Sequence, residues 1–421
     1  MTTPISRIFL SLIIVMLWVS IVSAQDSGSE TPIDAQIDQI ESDAELLRGL
    51  EPTSDVPIMF PSREEVRDYL NGELEDTFTP EYLDEVMAFY VAFDFLAPDA
   101  DIQALALALY AQQVIGYYRS DTQTMNIVTD DGQAPDGTMN ILDRVTYAHE
   151  YIHALQDQYF DLTEYEEALE NSTNYDSNLA FQSLIEGDAT FIMNEYLFLV
   201  MESTPPSELL QLGLDSLNDE SLRPPADTPD IFLAELFFPY FNGEQFVRAI
   251  FNEGGWEALN KLYEFLPQSS EHILHPEAYL AGDQPQIIDL PANAPDGYEL
   301  ALSGTLGEFY LRQWLGTQLS NERSINDAAA GWGGDTFNIY RNSTGELAWE
   351  LRISWDSVED AEEFSAALQA FIEGRLPDST ATMGDVRCVT GEQTLCVTAV
   401  DVSTFDITFA PTVEVATALL N

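Results

Sequence analysis

Lysine is almost missing from this chain. Lys261 stands alone in 421 residues, and arginine lifts the basic total only to 15, against 73 acids, for a net charge of −58. Such a surface repels phosphate backbones and anionic headgroups and attracts cations, which excludes nucleic acid and acidic membranes as partners. Two readings of the acidity stand. One is a solubilising surface for salty surroundings, where screening weakens self-repulsion. The other is a surface that recruits basic peptides or calcium; Asp130-Asp131-Gly132 and Asp136-Gly137 would supply carboxylates but lack EF-hand spacing. Cysteine is nearly missing too. The pair Cys388 and Cys396 excludes a disulfide-dense scaffold and, with no other Cys or His nearby, a cysteine zinc site. Flanking a hairpin-like stretch, the two are expected to form one disulfide in an exported protein. Long apolar runs are missing after the N-terminus, so no second spanning segment is expected.

The first 24 residues read as a secretory signal. Arg7 gives the positive start, Ile8 to Val22 an apolar stretch shorter than a bilayer span, and Val22-Ser23-Ala24 the small residues of a cleavage site. An uncleaved N-terminal anchor is the competing reading; after cleavage no stable membrane association is expected. No cysteine at the cleavage site offers a lipid anchor. Residues 25–55, rich in Asp, Glu, Ser, Thr and Pro, read as an acidic flexible leader. The fold class is α+β, mostly helical. Helices are expected over Pro80–Phe95, Asp99–Gln112, Asn140–Phe160, Ser177–Val200, Ile231–Phe238, Gly243–Phe251, Trp256–Phe265 and Thr305–Leu319. Two short strands, Val114–Tyr118 and Met125–Val128, read as a hairpin. Residues 56–330 form the main, largely helical domain. Residues 335–421 read as a C-terminal α+β unit with strands Thr336–Tyr340, Leu347–Trp355, Gly384–Val389 and Leu395–Val400 around a helix, Val358–Gly374.

Half of the four histidines lie in one run, His149-Glu150-Tyr151-Ile152-His153. Residues four apart on a helix lie above one another, so both imidazoles reach one metal ion while Glu150 projects beside them toward a bound water. Leu142, Val145, Ala148, Ile152, Leu155 and Tyr159 mark the core stripe of that helix, and the histidines sit at its edge. Catalytic zinc needs a third ligand and an open position. Glu186, in Leu184-Ile185-Glu186-Gly187-Asp188-Ala189 on the next helix, is the expected third ligand; Gly187 and Ala189 are small enough for the two helices to approach. Glu164, Glu166, Glu167 and Glu195 compete with it. Two histidines on an ordinary helix, with no metal, is the bland alternative.

These residues resemble the gluzincin metallopeptidases, which carry H-E-x-x-H on one helix and a glutamate on the next. The second element is similar to the branch reading Glu-Gly-x-Ala, matched by Glu186-Gly187-Asp188-Ala189. Wider phrases, Ala148 to Gln158, Glu271-His272-Ile273-Leu274-His275-Pro276 and Gly331-Trp332-Gly333-Gly334-Asp335, resemble exported bacterial and archaeal proteins of uncharacterised substrate, over roughly residues 110–375. The resemblance implies a gluzincin-like core with a small hairpin before the motif helix. It also implies one zinc held by His149, His153 and Glu186, Glu150 as general base, a peptide or protein substrate, and an edge strand, Val114–Tyr118 or Met125–Val128, that pairs with it. One departure stands out: the acid four residues after the ligand glutamate is replaced by Thr190. Asp157 and Asp188 are the candidate acceptors for a histidine ligand, undecided between them.

Under that chemistry Glu150 moves the proton from water to the leaving amine. The oxyanion needs a donor, for which His275 and Tyr279 are the candidates and His272 a weaker one; the plainer reading of each is a side chain in a packed loop. Tyr147 reads as core. Trp332 and Asp335 read as a cleft rim or as a plain Gly-rich turn. The chain is therefore expected to be an exported zinc metallopeptidase. The alternatives are a non-catalytic extracytoplasmic binding protein with a structural zinc site, and an acidic cation-buffering protein with a chance motif.

Overall fold

The computed structural model describes residues 33–420 except 111–115, 130, 134–138, 164, 166–173, 211–212, 214–222, 378 and 382–385. The signal segment, Asp130, Asp136, Gly137, Glu164, Glu166 and Glu167 thus lie outside the described residues. Before the motif come α1 (Ile33–Arg48), β1 (Ile58–Met59), α2 (Arg63–Thr77), α3 (Pro80–Ala92), α4 (Ile102–Tyr110), β2 (Gly116–Arg119) and β3 (Thr124–Ile127). Then follow α5 (Ile141–Phe160), α6 (Tyr175–Ser203), α7 (Asp230–Lys261), α8 (Ser270–Leu274) and α9 (Pro276–Ala281). The rest of the chain is β4 (Tyr298–Gly304), α10 (Gly307–Gly316), α11 (Glu322–Ala329), β5 (Trp332–Asn342), β6 (Leu347–Trp355), α12 (Val358–Arg375), β7 (Thr380–Ala381), β8 (Arg387–Thr390), β9 (Thr394–Ala399), β10 (Thr404–Ala410) and α13 (Val413–Ala418). The class is α+β, as the sequence implies.

Three helical expectations need correction. The acidic leader contains α1, whose Ile37, Ile40 and Ala44 repeat at helical steps and are buried against the main core, so its apolar stripe outweighs its acidic composition. Of the three helices expected between residues 231 and 265, the first two are one: α7 passes through Pro239, and it breaks at Gly254 and Gly255, where the expected boundary before Trp256 lies. Packing on both sides of the proline outweighs its missing N–H. The Tyr90 and Tyr310 hydroxyls donate to Glu235 before it. After it, Gly243 lies so close to α6 that a Cβ there would meet the Ser183 carbonyl oxygen at 2.1 Å. Finally, the buried part of α5 is wider than the expected stripe: every residue from Val145 to Asp157 is buried, because α1, α6 and β2 each cover one side of it. Tyr159, expected in its core stripe, is exposed, and its hydroxyl donates to the Glu51 carbonyl.

The small sheet has the order β1-β3-β2, with β1 and β2 at its edges and β2 antiparallel to the central β3. The large sheet has seven strands in the order β4-β5-β6-β10-β9-β8-β7. It takes in β4, ahead of the boundary expected at residue 335, and β5 begins at Trp332 rather than Thr336. Its inner face joins the helical core through Phe337, Trp349 and Trp355. The expected disulfide is present: Cys388 and Cys396 are register partners on β8 and β9 and are bonded. Among the described residues no helix is long and apolar enough to cross a membrane.

Candidate metal centre

The α5 helix starts where its sequence says it should. Asn140 has extended backbone, and its side chain accepts from the Asp143 N–H at 3.0 Å, satisfying one of the free donors of the first turn. From that start the 3.6-residue period aims His149 and His153 the same way, toward α6. Glu186 comes from the middle of α6. The three residues close a buried triangle: His149 Nε2 to His153 Nε2 is 3.1 Å, His149 Nε2 to Glu186 Oε2 is 3.2 Å, and His153 Nε2 to Glu186 Oε2 is 3.4 Å. They are the one group of three or more His, Cys, Asp or Glu with metal-holding geometry among the described residues. A tetrahedral site with bonds of about 2.0–2.1 Å sets its ligand atoms about 3.3–3.4 Å apart, so the triangle fits a zinc-sized ion.

Gly187 serves a different contact from the one expected of it. Being one residue on, it points about 100° away from Glu186. It faces α7, where a Cβ would lie 2.3 Å from the Gly243 backbone. Close approach of α6 and α7, rather than of α5 and α6, is what that glycine permits.

The protonation states of His149 and Glu186 suit ligation. Burial holds the His149 imidazole below its ordinary value, in its neutral, metal-binding form. Burial pushes Glu186 up, but the His153 charge and hydrogen bonds from both imidazoles outweigh it and hold the carboxylate well below its usual range. Burial likewise pulls His153 down, but the Glu186 charge with its hydrogen bonds more than reverses that and raises it to about 9, so His153 holds a proton that a bound ion would have to displace. Glu150 lies within the field of both, and burial, the dominant influence, pushes it up to about 8. Its Oε2 accepts from the Tyr118 backbone N–H of β2 at 2.8 Å, while Oε1 is buried with no hydrogen-bond partner. A cavity of about 60 Å³ adjoins this carboxylate, lined among others by Met125, Ile127, Met139, Thr146 and Tyr147. On the far side, the Tyr240 ring of α7 stacks near His149 at 6.1 Å. Tyr147 is core, as expected, and its hydroxyl bonds Glu41 of α1.

The acceptor for His153 is neither of the two expected acids directly. Gln156 Oε1 meets His153 Nδ1 at 2.7 Å. Asp188 stands behind it, accepting from Gln156 Nε2 at 3.3 Å, from the Tyr263 hydroxyl at 2.8 Å and from Arg48 Nε and Nη2 at 3.1 and 3.0 Å. Asp157 faces elsewhere: it accepts from the Tyr118 hydroxyl at 2.9 Å and the Leu162 N–H at 3.1 Å, bracing the β2–β3 hairpin. Thr190, at the position of the absent acid, has a buried hydroxyl without a partner, as does His149 Nδ1. Among the competitors, Glu195 pairs with Arg248 at 3.1 Å.

The other predicted residues are not brought to the triangle. His275 Nε2 meets Glu308 at 3.1 Å. The Tyr279 hydroxyl donates to the Phe265 carbonyl at 2.6 Å. His272 lies between the Gln268 N–H and the Asp283 carbonyl. Trp332 and Asp335 form no cleft rim: the Asp335 carboxylate accepts from the Trp332 indole and from the Leu306 and Gly307 N–H groups, anchoring the start of α10. Sequence reasoning missed Gln156, Tyr118 and Arg48. Gln156 was within reach of it, since residues three apart share a helical face and Gln156 follows His153 by three.

Residues 299–420 match a family described as a domain of unknown function, DUF8575. That span covers the large sheet and its helices and begins well after the triangle. No curated protein and no solved structure matches the chain.

Proposed function

We propose that the chain is an exported, zinc-dependent peptidase of gluzincin type. The observation that supports it is the buried triangle of three lone-pair donors with Glu150 beside it. His149, His153 and Glu186 would hold the ion. A bound zinc supplies Lewis acidity toward a carbonyl and water acidified to near neutrality. Glu150, which the charge of a bound cation would hold ionised against its burial, would take the proton of the attacking water on Oε1, because Oε2 is already engaged by Tyr118, and deliver it to the leaving amine. The outer edge of β2 is the proposed docking line for an extended peptide. Its Tyr118 N–H already turns toward α5, so a pairing substrate would compete with Glu150 for that donor. Export is supported by the N-terminal segment and the disulfide.

One observation favours a second reading. His149, Glu150 and Glu186 are each 2% exposed or less. Structural zinc sites are closed in this way, whereas catalytic ones keep a position open. A non-catalytic zinc-holding protein is therefore the alternative. Elemental analysis and a peptide-library assay separate the readings. The peptidase predicts about one zinc per chain and cleavage that Glu150→Gln abolishes while zinc is retained. Cleavage surviving that change sinks the mechanism, and zinc without any cleavage leaves the structural site.

A further inference from the structure

We propose that Gln156, Asp188 and Arg48 form a positioning chain that fixes the tautomer of His153, making the N-terminal helix α1 a working part of the metal centre. The inference rests on the zinc reading above and deepens it.

The orientation of the Gln156 amide is settled by its surroundings. Its Nε2 lies 3.0 Å from the Ile185 carbonyl, which only accepts, and 3.3 Å from the Asp188 carboxylate. Nε2 therefore donates to both, and Oε1 is the atom turned to His153. An oxygen there requires His153 Nδ1 to carry the hydrogen, which leaves the Nε2 lone pair for the triangle. A histidine ligand needs such an acceptor to fix its tautomer and raise its basicity. Here the acceptor is an amide, and the charge that polarises it stands one step behind. Asp188 is fully buried and is held there by Arg48, itself fully buried, whose Nη1 also donates to Asn260 of α7 at 2.9 Å. Hydrogen bonds in series polarise one another where water is excluded. The chain thus runs from the C-terminal turn of α1, across 140 residues of sequence to α6, and back to α5. Thr190, where the resemblance leads one to expect an acid, makes no hydrogen bond to either imidazole, so this is the acidic support the site has.

Zinc affinity tests this directly, measured on the whole protein by competition with a chromophoric chelator at fixed pH. Cobalt(II) spectra serve as a second readout of ligand geometry. Gln156→Leu keeps the volume and removes the acceptor, and is expected to weaken zinc by about 10–100-fold. Gln156→Glu restores an acceptor and is expected to bind within a few-fold of the unaltered protein. A purely space-filling role predicts the reverse order, with leucine tolerated better than a second buried acid beside Asp188. Arg48→Lys keeps the charge but loses the fork, and is expected to weaken zinc several-fold and perturb the cobalt spectrum. Glu235→Gln, equally buried but outside the chain, should leave the affinity unchanged. If Gln156→Leu proves unfolded, Arg48→Lys and Gln156→Glu decide the matter alone. Zinc bound equally by the unaltered protein and by the folded Gln156→Leu or Arg48→Lys variants overturns the positioning chain and leaves the peptidase reading intact. An unaltered protein without tight zinc overturns both.

Discussion

Two histidine–glutamate contacts of nearly equal length lie along α6 and α10, and they mean different things. His149 and Glu186 are 3.2 Å apart; His275 and Glu308 are 3.1 Å apart. In the first pair a second imidazole joins, and three potential ligand atoms converge on one point. In the second, Arg312 joins instead, and Glu308 collects donors. The His275 corner also gathers Asp176, Glu271 and Asp335, acids that burial pushes up to about 7, 9 and 6. A short His–Glu distance is therefore no mark of a metal centre. Three potential ligand atoms closing on one another set the first pair apart, and among the described residues only the helical half of the molecule has such a group. In the sheet half, which carries the family match, the buried Asp335 carboxylate is engaged by the Trp332 indole and two backbone N–H groups.

The sharpest way to break this comparison is a paired substitution. His149→Ala should remove zinc entirely and His275→Ala should leave it at full occupancy, by elemental analysis of each purified protein. Zinc lost from both, or from neither, would erase the distinction. Next in size is the support behind the triangle. Arg48→Ala strands the Asp188 carboxylate in the core and should cost about 3–5 kcal/mol in denaturant unfolding; a loss under 1 kcal/mol would mean Asp188 finds another partner.

One group from each corner, Asp176 and Glu186, should respond oppositely to pH. Asp176 lies above its ordinary value of 3.8, so the folded state holds its proton between about pH 4 and 7 when the unfolded chain has released it. Stability from this group is therefore present at low pH and declines as pH rises through that window. Glu186, held low, contributes stability present at neutral pH and lost only below the usual carboxylate range. Asp176→Asn should flatten the melting temperature between pH 5 and 7, a slope on the order of a few kcal/mol. An unchanged slope would place the effect elsewhere. Smallest is Gly187→Ala, where a Cβ must displace the α7 backbone, costing about 1–3 kcal/mol by calorimetry. A neutral result would mean the α6–α7 crossing relaxes freely.

The triangle was legible in the sequence because its geometry is local. Four residues separate His149 from His153, and a helix fixes what that spacing does. Glu186 needed one more step, that the next helix packs alongside. Past that, local information ran out. Arg48 meets Asp188 across 140 positions, and its helix hid in a segment whose acids suggested a loose leader. Gly187 was read as a small residue but assigned to the wrong neighbour, since which face meets which helix is a tertiary matter. Pro239 misled because packing around Glu235 and Gly243 overrides a local breaker. His275 and Tyr279 were chosen for loop position alone, and loop position does not tell where a side chain points.

The order of the large sheet has a consequence for how the chain is made. Strand β10, the last in sequence, lies between β6 and β9. Until residues 404–410 emerge from the ribosome, two three-stranded ribbons wait with bare edges facing each other, each a template for the wrong partner. The helices bearing the triangle are finished more than a hundred residues sooner and can mature first, whereas the opposite end must be guarded until synthesis is all but complete.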